Sequence, residues 1–266
     1  MYLVFNIICK KIYYIINELL IKSGYLIMKK KILIFIITYK AKHRVVDVYK
    51  KIPFKKLSKF DCNVLISDDA SKDDTVVFIK KIQGKKNFKN INKKNLGYGG
   101  NIKKCLNFAK KKKIDFAVML HGDGQYHPKY IVKMFDILKN NEKILAVTGS
   151  RMIYRKKALK GNMPIYKFIG NIFLTFLTNL ISETKFTDCH SGYWAYKVNT
   201  FNKINLKKIT NGFNFDQQVR LNYIQNKFLI KEIPIQTIYG TERSSVHLIY
   251  AIRYFFELIL FLFRRK

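Results

Sequence analysis

Five short runs rich in β-branched and aromatic residues have the composition of buried strands: KILIFIIT (31–38), NVLIS (63–67), IDFAVML (114–120), KILAVTG (143–149) and FLIKEIPI (228–235). The longer segments between them, 73–82, 99–112, 128–139 and 213–226, read as helices, with Pro128 suited to a first turn and Asp73 to a cap. Parallel neighbours need a long crossover, which a helix supplies. The alternation therefore predicts an α/β chain with a mostly parallel, Rossmann-like sheet covered by helices on both faces. Ligands of such sheets bind beyond the carboxyl ends of the strands, so chemistry is expected in the loops that follow the runs. The biased tract KKNFKNINKKN (85–95) is expected to be a solvated loop.

Two acidic clusters occupy such loops. In DDASKDDT (68–75), capping and a helix first turn account for Ser71, Asp73 and Asp74. They account less well for Asp68 and Asp69, since two neighbouring anions repel unless a donor or a cation separates their roles. In HGDGQYHP (121–128), Asp123 lies between Gly122 and Gly124. It is either a turn residue or a hard ligand for a divalent cation that bridges the two phosphates of a nucleotide, with Gln125 and His121 on the same loop.

Taken in order, these segments resemble glycosyltransferase family 2, the inverting enzymes of the GT-A fold. IFIITYKA, ISDDASKDDT, NKKNLGYGGNIKKCL, HGDGQY and VTGSRM are similar to the family's successive motifs, over about residues 30–240. The counterparts GNMPIYKFIGNIFLT, DCHSGYWAY, FNFD and EIPIQTIYG are similar to the polyprenyl-phosphate hexose synthases and to a related bacterial branch whose metal loop reads HADGQY. The resemblance implies a hexose moved, with inversion, from a nucleoside-diphosphate sugar to a polyprenyl phosphate or related cell-envelope acceptor, with Mg²⁺ or Mn²⁺ neutralising the departing diphosphate. It makes Asp123 the principal metal ligand, with Gln125 and His121 as further candidates. It places Tyr39 against the base, Asp68 and Asp69 at the nucleoside, Gly97 in a turn at the substrate, and Arg151 on phosphate. Asp188 and His190 become the catalytic pair of the acceptor segment: a sugar hydroxyl would need Asp188 as base, whereas a polyprenyl phosphate is already anionic. Ile37, Lys40, His121 and Trp194 depart from the family pattern, Trp194 standing where that branch has arginine.

The formal charge of +34 favours phosphate-bearing partners. A nucleic-acid reader would interleave basic residues with exposed aromatics in a recognised motif, and the sequence has none, so nucleic acid is not expected. The same motifs would also suit a family member with a glycan hydroxyl as acceptor, or a non-catalytic relative. Residues 1–27 form an uncertain N-terminal extension, 28–240 the catalytic domain, and 241–266 an apolar helix closed by basic residues. Apolar residues 165–180 and the terminal helix suggest a greasy platform on an anionic membrane surface, or a bundle packed on the protein's own core. The expected location is the cytoplasm, at the inner face of the cytoplasmic membrane. Cys9, Cys62, Cys105 and Cys189 are scattered without metal spacing and suit a reducing compartment.

Overall fold

The computed structural model describes residues 29–84, 86–237, 239 and 248–264, and the extension 1–27 lies outside them. The elements, in order, are β1 (Lys31–Thr38), α1 (Arg44–Lys50), β2 (Asp61–Asp68), α2 (Thr75–Lys81), β3 (Asn87–Ile91), α3 (Tyr98–Lys111) and β4 (Phe116–His121). There follow α4 (Ile131–Asn140), β5 (Ile144–Ser150), α5 (Arg155–Lys160), α6 (Ile165–Ser182), β6 (Trp194–Lys197), α7 (Phe215–Gln225), β7 (Leu229–Pro234) and α8 (Leu248–Arg264). All belong to the unit Lys31–Lys266.

Because successive strand side chains point to opposite faces, β1 supplies two cores. Ile32, Ile34 and Ile36 pack with Val45 and Val48 of α1 and with Met134 and Phe135 of α4. Leu33, Phe35 and Ile37 pack on the other face with Ile102 and Leu106 of α3 and Val219 of α7. Each such side chain removed from water contributes about 1.5–3 kcal/mol, which is why the run is apolar at every position rather than at alternate ones.

The seven strands lie in the order β3-β2-β1-β4-β6-β5-β7. All pairings are parallel except those of β6, which runs antiparallel to both β4 and β5. The expected mostly parallel α/β sheet is therefore present, with two strands beyond the five apolar runs. The tract expected to be a solvated loop contains β3, an edge strand held by its backbone ladder to β2 and by Asn90 donating to Ser67 Oγ at 2.9 Å. β6 is only four residues long, too short for a periodicity to show.

The chain turns left from β1 to β2 and β3, then crosses to β4 on the other side of β1. This reversal of strand order opens a crevice between the carboxyl ends of β1 and β4. Register aligns Thr38 with Asp68 and Ile37 with His121 at that edge. Since β5 and β7 run the same way as β4 and β6 runs against it, Arg151 and the segment before Trp194 reach the same edge.

Candidate active site

On the β1–β2 side, each carboxylate of the acidic pair has its own donors. Asp68 takes Ser71 N on Oδ2 at 2.8 Å and Ser71 Oγ on Oδ1 at 2.6 Å, and Ser71 Oγ in turn accepts from Lys40 N at 2.8 Å. Asp69 Oδ1 accepts from Asn92 Nδ2 at 2.9 Å and Leu96 N at 2.8 Å. Both side chains are buried. The repulsion anticipated between them is relieved by protein donors, and the pair's visible work is to fix the loops 38–42 and 92–96 around the crevice. Lys40, Lys42 and Ala70 hold positive φ values of 52°, 51° and 60° there, a conformation that non-glycine residues adopt only where surroundings impose it. Tyr39 is half exposed beside them, with Lys40 Nζ 5.2 Å from its ring centre.

Gly97 stands at a close backbone approach. A Cβ there would lie 2.7 Å from the carbonyl oxygen of Asn211, at a φ of +79°. Gly99 N and Gly100 N both donate to that same carbonyl, at 2.7 and 3.2 Å. The first amides of α3 are thus spent on the segment before α7, and the glycines serve that close backbone approach.

On the β4 side, Gly122 lets the loop 121–128 pass β1: a Cβ would meet Thr38 Cβ and Oγ1 at 2.8 Å. Asp123 is exposed, and its Oδ1 accepts from Gln125 N at 2.9 Å. Tyr126 turns inward and accepts from Gly192 N at 3.0 Å, tying this loop to the acceptor segment. His121, a candidate ligand, has aromatic neighbours. Its ring packs edge-on to Tyr98 and Tyr126, and Nε2 lies 3.4 Å from Tyr98 Oη. Burial lowers its pKa more than Asp123 and the Gly192 backbone raise it, so the imidazole is neutral near pH 7. That nitrogen is directed to the tyrosine, which leaves Asp123 and Gln125 as the groups on the open turn. Among the described residues no cluster of three or more His, Cys, Asp or Glu side chains could hold a metal alone. A single exposed carboxylate suits a cation that takes its remaining ligands from substrate phosphates and water.

Arg151 and the expected catalytic pair are drawn into one buried network. Arg151, expected on phosphate, forms a fork with Asp188: Nε donates to Oδ2 at 2.7 Å and Nη2 to Oδ1 at 2.9 Å, with Arg151 N to Oδ2 at 3.1 Å. Its Nη1 donates to Tyr239 Oη at 2.8 Å. Asp188 Oδ1 also accepts from Asn171 Nδ2 at 2.8 Å and His190 N at 3.0 Å. Burial alone would raise the Asp188 pKa, but the Arg151 charge and these bonds outweigh it and hold the carboxyl well below the usual range. A carboxylate so satisfied is a poor proton acceptor, and the pair is a strut under the acceptor segment. His190 packs against Tyr254 with ring centres 4.4 Å apart and planes tilted by 48°, has a buried Nε2 without a partner, and is lowered by burial to about 4.

Two further groups acquire a place in the site only through the fold. Asp216, on the first turn of α7, accepts from Tyr98 Oη at 2.7 Å, and its Oδ1 is buried without a partner. Burial lifts its carboxyl to about 7, against the lowering effects of the Tyr98 bond and the Arg220 charge. Asp216, Tyr98 and His121 therefore form a chain from α7 to the loop 121–128. Arg220, one turn further along α7, lies with its guanidinium 4.5 Å from the Phe186 ring and 4.7 Å from the Trp194 ring. Trp194 itself is core, its Nε1 donating to Ser191 O at 2.9 Å. The FNFD motif held the signal for Asp216, but its partner Tyr98 is 118 positions away.

Comparison with known proteins shows the family and the fold. A UDP-N-acetylglucosamine--dolichyl-phosphate N-acetylglucosaminyltransferase of Methanococcus voltae is 31% identical over 196 residues, covering 68% of this chain and 76% of its own. An uncharacterized protein of Methanocaldococcus jannaschii is 31% identical over 201 residues, 74% of this chain and 80% of its own. In three dimensions the chain is similar to glucosyl-3-phosphoglycerate synthase of Mycobacterium tuberculosis in complex with UDP, with a TM-score of 0.64 at 14% identity over 89% of this chain and 80% of that one. The same enzyme with Mn²⁺, UDP and phosphoglyceric acid gives 0.62 at 15% identity, over 89% and 78%. At such identity these structures bear on the fold, which is GT-A-like. The family model described as "Glycosyl transferase family 2" matches residues 33–204. With that match over most of the chain, and the motif loops gathered at one edge of the sheet, the protein belongs to glycosyl transferase family 2.

Proposed function

We propose that the protein transfers a hexose or N-acetylhexosamine from a uridine-diphosphate sugar to a polyprenyl phosphate, with inversion at the anomeric carbon. The observation that carries the acceptor class is the Arg151–Asp188 fork: the acid of the acceptor segment is already neutralised. An acceptor that arrives as an anion needs no base there. A phosphate oxygen of the acceptor attacks the anomeric carbon, the bond from that carbon to the β-phosphate oxygen breaks, and the uridine diphosphate leaves with the electron pair. No proton need be removed from the nucleophile.

Tyr39 borders the base position, Asp68 and Asp69 shape the loops around the nucleoside, and Asp123 with Gln125 would hold a divalent cation on the open turn. Such a cation, Mg²⁺ or Mn²⁺, supplies charge neutralisation of the departing diphosphate. Support comes from the dolichyl-phosphate acceptor and UDP donor in the name of the Methanococcus relative and from the Mn²⁺ and UDP in the structural neighbour.

The test is incubation of the full chain with labelled UDP-glucose or UDP-N-acetylglucosamine, polyprenyl phosphate in detergent, and either metal. The expected product partitions into organic solvent, is released by mild acid, and is lost with Asp123→Ala. Failure to bind any uridine-diphosphate sugar with either metal refutes the reading. A second reading, a hydroxyl acceptor, is favoured by Asp216, whose near-neutral pKa suits a general base. It predicts an acid-stable glycoside whose formation Asp216→Asn abolishes.

A further inference from the structure

Helix α6 is built inside out. Its buried residues are Asn171, Thr175, Thr178 and Ser182, all polar. Its exposed positions include Ile165, Ile169, Phe173, Phe176 and Leu180, which stand 58–71% open to solvent. These recur every three or four residues, so they form one stripe along the helix. A helix on a water-soluble surface shows the opposite pattern. The polar side is not an accident of packing. Asn171 donates to Asp188 at 2.8 Å, Thr175 accepts from Cys189 N at 3.2 Å, and Thr178 is bonded to Tyr254 Oη at 2.9 Å. The inner side of α6 is the wall of the acceptor segment.

The terminal helix α8 extends the same face. Tyr254, Leu258 and Phe261 are buried and pack with Leu174, Leu177 and Ile181 of α6, while Phe256, Leu260 and Phe263 are exposed. Thus the terminal helix packs on the protein's own core with one side and leaves the other apolar and open. On the opposite flank of the α6 stripe, Phe168 and Ile172 pack against α5, whose Arg155, Lys156, Lys157 and Lys160 are all exposed. Arg253 is exposed on α8.

We infer that the outer face of α5, α6 and α8 is the surface by which the protein lies on an anionic phospholipid bilayer, with the α6 stripe immersed and the flanking basic residues on the headgroups. Charge selects this occupant: the apolar stripe is bordered by a helix with four exposed basic residues and no acidic one, in a chain of net charge +34, and anionic leaflets attract such borders. Immersion is lateral rather than spanning. Among the described residues α6 is long and apolar enough to cross a bilayer, but its bonds to Asp188, Cys189 and Tyr254 hold one whole side against the globular unit. Only a helix's width, about 10 Å, then separates the lipid from the Arg151–Asp188 strut. This deepens the lipid-acceptor reading and relies on it only for the direction from which the acceptor arrives.

Flotation of the full-length protein with phosphatidylglycerol–phosphatidylcholine vesicles tests the surface without any sugar transfer. The wild-type chain is expected to float with anionic vesicles, at least tenfold less with pure phosphatidylcholine or in about 0.5 M salt, where the Debye length shrinks to a few ångströms. Phe173→Glu with Phe176→Glu is expected to reduce vesicle binding at least tenfold at an unchanged unfolding midpoint, since both sites are exposed. Val77→Glu, on exposed α2 away from this face, is expected to change nothing. The inference is overturned if the wild type stays unbound, if the double variant floats as well as the wild type, or if sedimentation shows the face buried in a dimer that the double variant dissociates and that binds no vesicles. Vesicle binding without transfer would refute the proposed activity and leave the surface standing.

Discussion

The most informative perturbation is Asp188→Asn. Asp188 is fully buried and Arg151 is 8% exposed, and the carboxylate receives five hydrogen bonds: three on Oδ1, from Arg151 Nη2, Asn171 Nδ2 and His190 N, and two on Oδ2, from Arg151 Nε and N. An amide in either orientation turns its NH₂ towards at least two donors and leaves a guanidinium without a counter-charge. Removing one member of a buried pair costs about 3–5 kcal/mol. At about 2–4 °C per kcal/mol for a chain of this size, the unfolding midpoint should fall by roughly 6–20 °C. Urea titration of the wild type, Asp188→Asn, Arg151→Met and the double variant completes a cycle in which the double costs at least about 2 kcal/mol less than the sum. Because the folded pKa lies below the unfolded value near 3.9, this stabilisation is present above about pH 4 and fades as pH falls through that value towards the folded one. The gap between wild type and Asp188→Asn should therefore narrow below about pH 4. A loss under about 1 kcal/mol, the range of exposed pairs, or strict additivity would show that the pair is not the strut described.

Asp216 has the opposite linkage: its raised pKa makes the folded state lose stability as pH rises from about 4 to 7, by roughly 4 kcal/mol at most. Asp216→Asn should flatten that slope in pH-dependent urea melts, and an unchanged slope would argue against the raised value. His190, lowered to about 4, makes stability fall as pH drops from about 6.5 towards 4; His190→Gln should remove this limb. Gly122→Ala forces Cβ to 2.8 Å from Thr38 and should cost about 1–3 kcal/mol, partly recovered by Thr38→Gly, as read from thermal midpoints. Gly97→Ala, at positive φ and 2.7 Å from Asn211 O, should destabilise the chain without a second site that rescues it; a loss of sugar-nucleotide affinity at wild-type stability would instead return Gly97 to the substrate contacts.

The strands carried by near-continuous apolar runs are legible in the sequence, because a strand buried on both faces has to be apolar at every position. β1, β2, β4 and β5 come from such runs, and the edge strand β7 from one interrupted by Lys231 and Glu232, whereas β3 is polar and held by its backbone and β6 has four residues. The same contrast holds in the site. Asp68, Asp69 and Asp123 can be picked out because loops at strand ends and flanking glycines are local features.

What each charged group does is decided only in three dimensions. Arg151 and Asp188 are 37 positions apart in the chain, and nothing local tells that the cation intended for a phosphate is already forked onto the acid intended as a base. Asp216 becomes near-neutral only because folding removes it from water beside Tyr98. The inverted polarity of α6 is written in its residues, yet only packing reveals which side is inward. Short-range patterns of size and polarity determine where a backbone can be buried, and those are properties of the sequence alone. Electrostatic roles depend on the partners and the loss of solvent that distant segments impose, and those exist only once the chain has folded.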